Sequence, residues 1–215
     1  MLPHHLFVID PLPTLNLALD SSLRMMFALA QRGHKVAIAE PWGLSWGAGS
    51  PPYARSQAIW FDGRADKPQV GSASNVPLDH FAAIHMRKDP PFDMEYVQCT
   101  WIFDAVRPGV RVYNDPEALR SINEKAIILS FPEETRPALL SSNPQELLSF
   151  AENMAHGDAI LKPLDLFGGR GVRRITLSHD DAHSILKEET GSGRRARLIQ
   201  AFDSGIFQGL SLIHI

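Results

Sequence analysis

Cysteine is almost missing from this chain: Cys99 is the single one in 215 residues. An internal disulfide is therefore excluded, and the composition suits a reducing compartment, where the one thiol has only another chain to pair with. Long apolar runs are also missing. No stretch approaches the length of a membrane span, and the N-terminus has no basic segment leading into an apolar core. Positive charge is not in excess, since 21 Lys and Arg face 24 Asp and Glu for a net charge of −3. That balance offers no footprint for nucleic acid or for an anionic membrane. We expect a cytoplasmic protein with neither partner. The nine histidines are scattered, with no HExxH or CxxC spacing, so nothing argues for a zinc site. Cys99 sits in an apolar stretch beside Thr100 and Trp101 and reads as a core thiol rather than a nucleophile.

What is present is an ordinary globular balance, 44% hydrophobic and 21% charged, enough for one large domain or two small ones. The chain opens with a buried-type strand, Leu6 to Ile9, closed by Asp10-Pro11. Asp20-Ser21-Ser22 offers a cap for a helix from about Ser22 to Arg32, stopped by Gly33, and Lys35 to Ala39 is a second strand. This β-α-β opening predicts a parallel sheet whose C-terminal strand ends gather loops into a ligand crevice. Ser56 to Phe61 reads as a strand, Gly63 to Pro77 as a loop or edge hairpin, and Trp42 and Trp46 as packing residues. Further strands are expected at Phe81 to Met86 and Arg111 to Tyr113, with a helix from Met94 to Val106 between them. A second helix is expected over Glu117 to Ser130, with Leu119, Ile122, Ala126 and Leu129 on one face and Lys125 upon it. Beyond a proline-punctuated connector lie a short strand at Ala138 to Ser141 and a helix from Gln145 to His156. A strand over Arg197 to Phe202 ends the readable pattern, after a helix from Ser178 to Glu188 with Asp180 and Asp181 in its first turn.

Two stretches carry chemistry. In the first, GDAILKPLDLFGGRGVRRIT, an apolar strand ends on Lys162-Pro163, a loop holds Gly168, Gly169 and Gly171, and a second strand follows from Val172 to Leu177. Glycines let backbone N–H groups approach phosphate oxygens, and the lysine adds a point charge. The lysine precedes the glycines, so this is neither GxxxxGK[ST] nor GxGxxG opening a helix. An ordinary hairpin with a glycine turn is the competing reading. In the second, a strand runs straight into Arg87-Lys88-Asp89-Pro90-Pro91-Phe92-Asp93. Two cations on a proline-stiffened turn suit a bound anion, because a rigid loop loses little entropy on binding and arginine presents a planar fork to a carboxylate. The plainer reading is an internal ion-pair network.

Together IDPLPTLNLALDSS, MRKDPPFDMEY, NDPEALRSINEK and ILKPLDLFGGRGVRRI resemble segments of the bacterial glutathione synthetases, ATP-grasp ligases, from Leu6 to about Phe202. The resemblance implies an α/β chain: a parallel-sheet pre-ATP-grasp domain at 1–122, then an incomplete ATP-grasp α+β domain at 123–208. It implies ATP-dependent joining of γ-glutamylcysteine to glycine through an acyl phosphate. Lys125 and Lys162 would contact nucleotide phosphates, with Gly168, Gly169 and Gly171 as a flap over them. Gln200, Ala201 and Phe202 would meet the adenine, and Arg87, Lys88, Asn16 and Ser21 the peptide substrate. Leu166-Phe167 stands where a smaller, glycine-containing pair is expected. The family also implies Mg2+, with ligands in a C-terminal part not matched here, and a homo-oligomer. The segment 209–215 reads as foreign to the family, which leaves the chain an inactive fragment with Leu198 to Phe202 at an exposed sheet edge. Another carboxylate–amine ligase of the ATP-grasp class, and a non-catalytic domain that holds a small anion or peptide, are the alternatives.

Overall fold

The computed structural model describes residues 2–177 and 181–205. It divides into two compact units, Met1–Ser121 and Ile122–Ile215. In the first, β1 (His4–Val8), α1 (Ser21–Gln31) and β2 (Lys35–Ala39) form the expected β-α-β turn. Asp20 caps α1 by accepting the Leu23 N–H at 2.8 Å, and Gly33, at φ +82°, closes it. Then come β3 (Leu44–Ser45), β4 (Tyr53–Phe61), β5 (Pro68–Pro77), β6 (Ala83–Met86), α2 (Met94–Asp104), β7 (Arg111–Tyr113) and α3 (Pro116–Ser121). The sheet runs β3-β4-β2-β1-β6-β7, with β5 along the other side of β4. Pairing among β2, β1, β6 and β7 is parallel, whereas β3, β4 and β5 join antiparallel.

As a central parallel strand, β1 is apolar on both faces. Phe7 and Ile9 pack with Leu23 and Met26 of α1, while Leu6 and Val8 pack with Ile84, Cys99 and Phe103 on the other side. Cys99 is buried, and desolvation pushes its thiol up to about 12, so it is an inert core group.

The second unit contains β8 (Ala138–Ser141), α4 (Pro144–Asn153), β9 (Asp158–Pro163), β10 (Arg173–Thr176), α5 (Ala182–Glu189) and β11 (Arg197–Ala201). Its sheet is antiparallel throughout, in the order β10-β9-β11-β8. Leu161, Ile175 and Ile199 turn one face toward Leu147 and Phe150 of α4 and Leu186 of α5.

Several expectations are corrected. The helix over 117–130 is broken into α3 and a 3₁₀ turn, Ala126–Ser130. Asn123 causes the break: its Oδ1 accepts the N–H groups of Lys125 and Ala126, and its Nδ2 donates to Leu164 O. A side chain that bonds the backbone in this way competes with helical bonds. The strand over Arg197–Ala201 lies between β9 and β8 and is no edge, with Leu198 and Ile199 fully buried. The edges of its sheet are β10 and β8. Trp42 and Trp46 are 60% and 56% exposed and pack little. α5 starts at Ala182; Ser178 and Asp180 lie outside the described residues.

Sheet pairing also creates a chain of imidazoles that no sequence motif announced. His5 Nδ1 lies 3.1 Å from His85 Nε2, and His5 Nε2 lies 2.9 Å from His34 Nδ1. The His85 ring stacks between Phe7 and Tyr113. Burial, then the neighbouring His5 and Arg87, lowers His85 to about 4, and burial also lowers His5. A histidine held neutral in the folded state stabilises fully above its unfolded value near 6.5. That stability is lost as pH falls from about 6.5 toward 4, by on the order of 2 kcal/mol for His85. We predict that His85→Phe, which keeps the ring stack, flattens the acid limb of a denaturant-derived stability profile. An unchanged slope between pH 6.5 and 4 would show that the cluster does not titrate with folding.

Candidate functional site

The antiparallel ladder sorts the second unit's residues onto two faces. Leu161 and Ile199 point toward α4 and α5, so Ile160, Lys162 and Gln200 fall on the opposite face. There Lys162 Nζ donates to Gln200 Oε1 at 2.8 Å, and Gln200 Nε2 donates to Thr135 Oγ1 at 2.8 Å. Thr135, which no sequence motif singled out, thus orients the amide that holds the lysine. Burial, followed by the charge of Lys125, pulls the Lys162 ammonium below its ordinary value. Lys125 itself is aimed by the Asn123 turn. Its Nζ donates to Leu166 O and to the exposed Glu124 carboxylate. Two half-buried ammonium groups that repel one another, with no carboxylate on Lys162 among the described residues, form an arrangement that an anion would relieve.

The glycine loop lies beside them. Gly168, Gly169 and Gly171 have φ of +60°, +75° and +68°. Within the loop, Arg170 N–H donates to Phe167 O and Val172 N–H to Gly169 O. Among the described residues, the amides of Gly168, Gly169 and Gly171 have no partner. Successive free N–H groups in such turns make an anion nest. The unexpected Leu166-Phe167 pair has defined places. Leu166 O takes Lys125, and the Arg170 guanidinium lies 4.9 Å from the Phe167 ring centre. A Cβ at Gly171 would meet Pro163 Cγ at 3.1 Å and Leu166 Cδ1 at 3.2 Å, so close approach as well as φ demands glycine there.

Ala201 and Phe202 divide. Ala201 packs on the helix-side core, away from Lys162. The Phe202 ring carries the Arg174 guanidinium at 4.0 Å, and Arg174 is held by a two-pronged pair with Asp158, at 2.8 and 2.6 Å. The Phe202 N–H donates to Asp158 O.

In the first unit, the ends of β1 and β6 and the start of α1 converge. Arg87 donates through Nε to Ser22 Oγ at 3.0 Å and through Nη2 to Ser21 Oγ at 2.9 Å. Its guanidinium is exposed and has no carboxylate partner among the described residues. Lys88 turns inward: at 8% exposure it lies 3.7 Å from Glu95 and 4.0 Å from Asp10, and it donates to Asp89 O. Asp10 also accepts the Asp89 N–H at 2.7 Å and so ties the proline loop to β1. Burial beside Asp10 and Asp20 raises the Asp89 carboxyl. The structure thus leaves Arg87 and Ser21 outward and uses Lys88 as the internal ion pair. Asn16 is exposed, and its carbonyl accepts from Leu19 and Asp20. The sequence also spells G-x-S-x-G at Gly43 to Gly47. Ser45 there ends the short β3 and no helix follows, so it is not a nucleophile elbow.

Solved structures identify the architecture. D-cycloserine synthetase DcsG superimposes with a TM-score of 0.61 at 13% identity, over 94% of this chain and 60% of that one. The RimK domain ATP-grasp protein from Sphaerobacter thermophilus gives 0.58 at 16%, over 93% and 64%. D-alanyl-alanine synthetase A from Vibrio cholerae gives 0.57 at 11%, over 94% and 61%. At such identities the likeness speaks for the fold alone, and the fold is that of ATP-grasp proteins. Sequence narrows it further. The prokaryotic glutathione synthetase N-terminal domain matches residues 4–120, and the ATP-grasp domain of the same family matches residues 124–213. The chain belongs to the prokaryotic glutathione synthetase family. It is 39% identical over 212 residues to glutathione synthetase of Bordetella pertussis and 35% identical over 203 residues to that of Pseudomonas putida. These alignments cover 96% and 94% of this chain but 66% and 63% of the relatives' length. Most of the segment 209–215 falls inside the second family match.

The glycine loop makes a stability prediction. Gly168→Ala meets open space and bears only the strain of positive φ, on the order of 1 kcal/mol. Gly171→Ala must in addition displace Pro163 or Leu166, so denaturant unfolding should show it as the more destabilised of the two. Equal losses would mean that the loop yields without resistance.

Proposed function

We propose that this chain supplies nucleotide-phosphate and dipeptide contacts of an ATP-dependent ligase that joins γ-glutamylcysteine to glycine. Residues 1–122 act as the pre-ATP-grasp domain and 123–208 as part of the ATP-grasp domain. The observation that carries the reading is the pairing of Lys125 and Lys162 beside three glycine amides that have no partner among the described residues. In the reaction, a cysteinyl carboxylate oxygen attacks the γ-phosphorus of ATP, the bond to the bridging oxygen breaks, and ADP leaves. The glycine amine then attacks the acyl phosphate carbonyl, loses a proton, and inorganic phosphate departs. Phosphoryl transfer of this kind asks for positioning and charge neutralisation rather than a protein nucleophile, and lysines with backbone amides meet that need. Lys162 and Lys125 hold the phosphates, the loop amides donate hydrogen bonds to the phosphate oxygens, and the exposed Arg87 fork orients a substrate carboxylate. Arg174 on Phe202 forms a flat cationic surface on the nucleotide-facing side of the sheet.

Mg2+ is the ion expected to accompany ATP. Among the described residues, no group of three or more His, Cys, Asp or Glu is placed to hold a metal, and no step here passes through one. We place the reaction in the cytoplasm; among the described residues no helix is long and apolar enough to cross a membrane. Assembly into a homo-oligomer belongs to the same reading.

In the full-length protein, Lys162→Met should weaken ATP binding by tenfold or more, the equivalent of about 1.5–3 kcal/mol for a lost charge-assisted bond. Calorimetric titration with ATP measures this, and an unchanged affinity would remove Lys162 from the phosphate site. Arg87→Met should raise KM for the dipeptide and leave ATP affinity nearly intact. Were the ATP term to move instead, the division between the two sets of residues would be wrong.

A further inference from the structure

The first unit contains a cavity of about 430 Å³ at the C-terminal ends of β1 and β2, walled on its far side by β4 and β5. Its polar lining is Asp10, Glu40, Arg55 and Gln57, with the exposed indole of Trp42 at the same opening. The cause of the cavity can be read from the strand register. The β2–β4 ladder ends with Ile38 opposite Gln57. Two residues further along each antiparallel strand, Glu40 would stand across from Arg55, an opposite-charge pair that normally closes. Here the chain leaves the ladder at Glu40 and turns through Pro41–Gly43, and Gly43 packs on the backbone of Arg55: a Cβ there would lie 3.1 Å from its carbonyl oxygen. Among the described residues, neither the Glu40 carboxylate nor the Arg55 guanidinium has an ion-pair or hydrogen-bond partner. Gln57 meanwhile donates to Gly71 O at 2.9 Å and holds the β4–β5 wall in place.

Two unpaired charges of opposite sign therefore line one cavity whose aliphatic walls come from β1, β2 and β5. A single ligand that carries both an ammonium and a carboxylate would satisfy both. We propose that this cavity binds the α-amino-acid head group of the γ-glutamyl substrate, with Glu40 receiving the ammonium and Arg55 the carboxylate. The inference rests on the dipeptide reading above and locates one end of that substrate. Asp10 lines this cavity and also accepts the Asp89 N–H of the loop that carries Arg87, so one side chain borders both the head-group cavity and that loop. The volume is ample for a dipeptide, since pockets for small ligands begin near 300 Å³.

The test uses full-length protein and three ligands that differ only at the head group. These are γ-glutamylcysteine, glutarylcysteine, which lacks the ammonium, and 4-aminobutyrylcysteine, which lacks the carboxylate. Binding is followed by calorimetry and by quenching of Trp42 fluorescence, with Trp42→Phe to assign the signal. Each truncated ligand should bind the unaltered protein at least tenfold more weakly. In Glu40→Gln, removal of the ammonium should no longer matter, while removal of the carboxylate still does; Arg55→Met should show the converse. Unchanged melting and ADP affinity report that both variants are folded. If all three ligands bind alike, or if both variants keep the original discrimination, the inference is overturned while the dipeptide reading stands. A failure of that reading shows elsewhere, as absence of turnover with γ-glutamylcysteine and glycine. Free L-glutamate then decides: quenching of Trp42 that Glu40→Gln and Arg55→Met abolish would uphold the cavity, and no quenching would end it.

Discussion

Antiparallel pairing of β9 with β11 is the constraint on which the second unit's chemistry depends. Strand residues alternate between faces, so the register that buries Leu161 and Ile199 against α4 and α5 also commits Lys162 and Gln200 to the other side. A slip by one residue would send the lysine into the core. The hydrophobic effect thus fixes where the cation stands, although it has no interest in the cation. Gln200 and Thr135 then fix where its ammonium points.

The first unit uses a different device to a similar end. Parallel strands deliver their C-terminal ends to one edge, and Asp10 at the end of β1 ties down the loop that follows β6. The two cations of that loop divide the work. Lys88 is drawn inward to Asp10 and Glu95, which costs desolvation but anchors the proline-stiffened turn. Arg87 remains outside, aligned by two serine hydroxyls that leave its charge unneutralised. The two readings left open for this loop, ligand contact and internal ion pairing, thus apply to different residues of the same pair.

Glycine and asparagine act here as instruments of geometry. Gly171 is required because Leu166 and Pro163 close over it, which accounts for a bulky pair in a loop where small residues were expected. Asn123 breaks a helix whose apolar spacing alone would continue it, and the break turns a would-be surface lysine, Lys125, toward the carbonyl of Leu166. The spacing of Leu119, Ile122, Ala126 and Leu129 could not reveal this, because the acceptor for Asn123 lies 41 residues away.

The sequence by itself determined the elements and the outline of the chemistry. Alternation and periodicity placed β1, α1, β2, β6, β7 and β9 nearly to the residue, because local capping and burial patterns are written in neighbouring positions. It also marked Lys162, the three glycines and Arg87 as unusual residues in unusual places. Tertiary structure alone decided who meets whom. It stacked His5, His34 and His85, which no motif links, made β11 a central strand, brought Thr135 to Gln200, and left Glu40 and Arg55 facing one cavity without closing on each other. These contacts join residues far apart in the chain. Strand order and register set them, and neither is encoded in any local stretch.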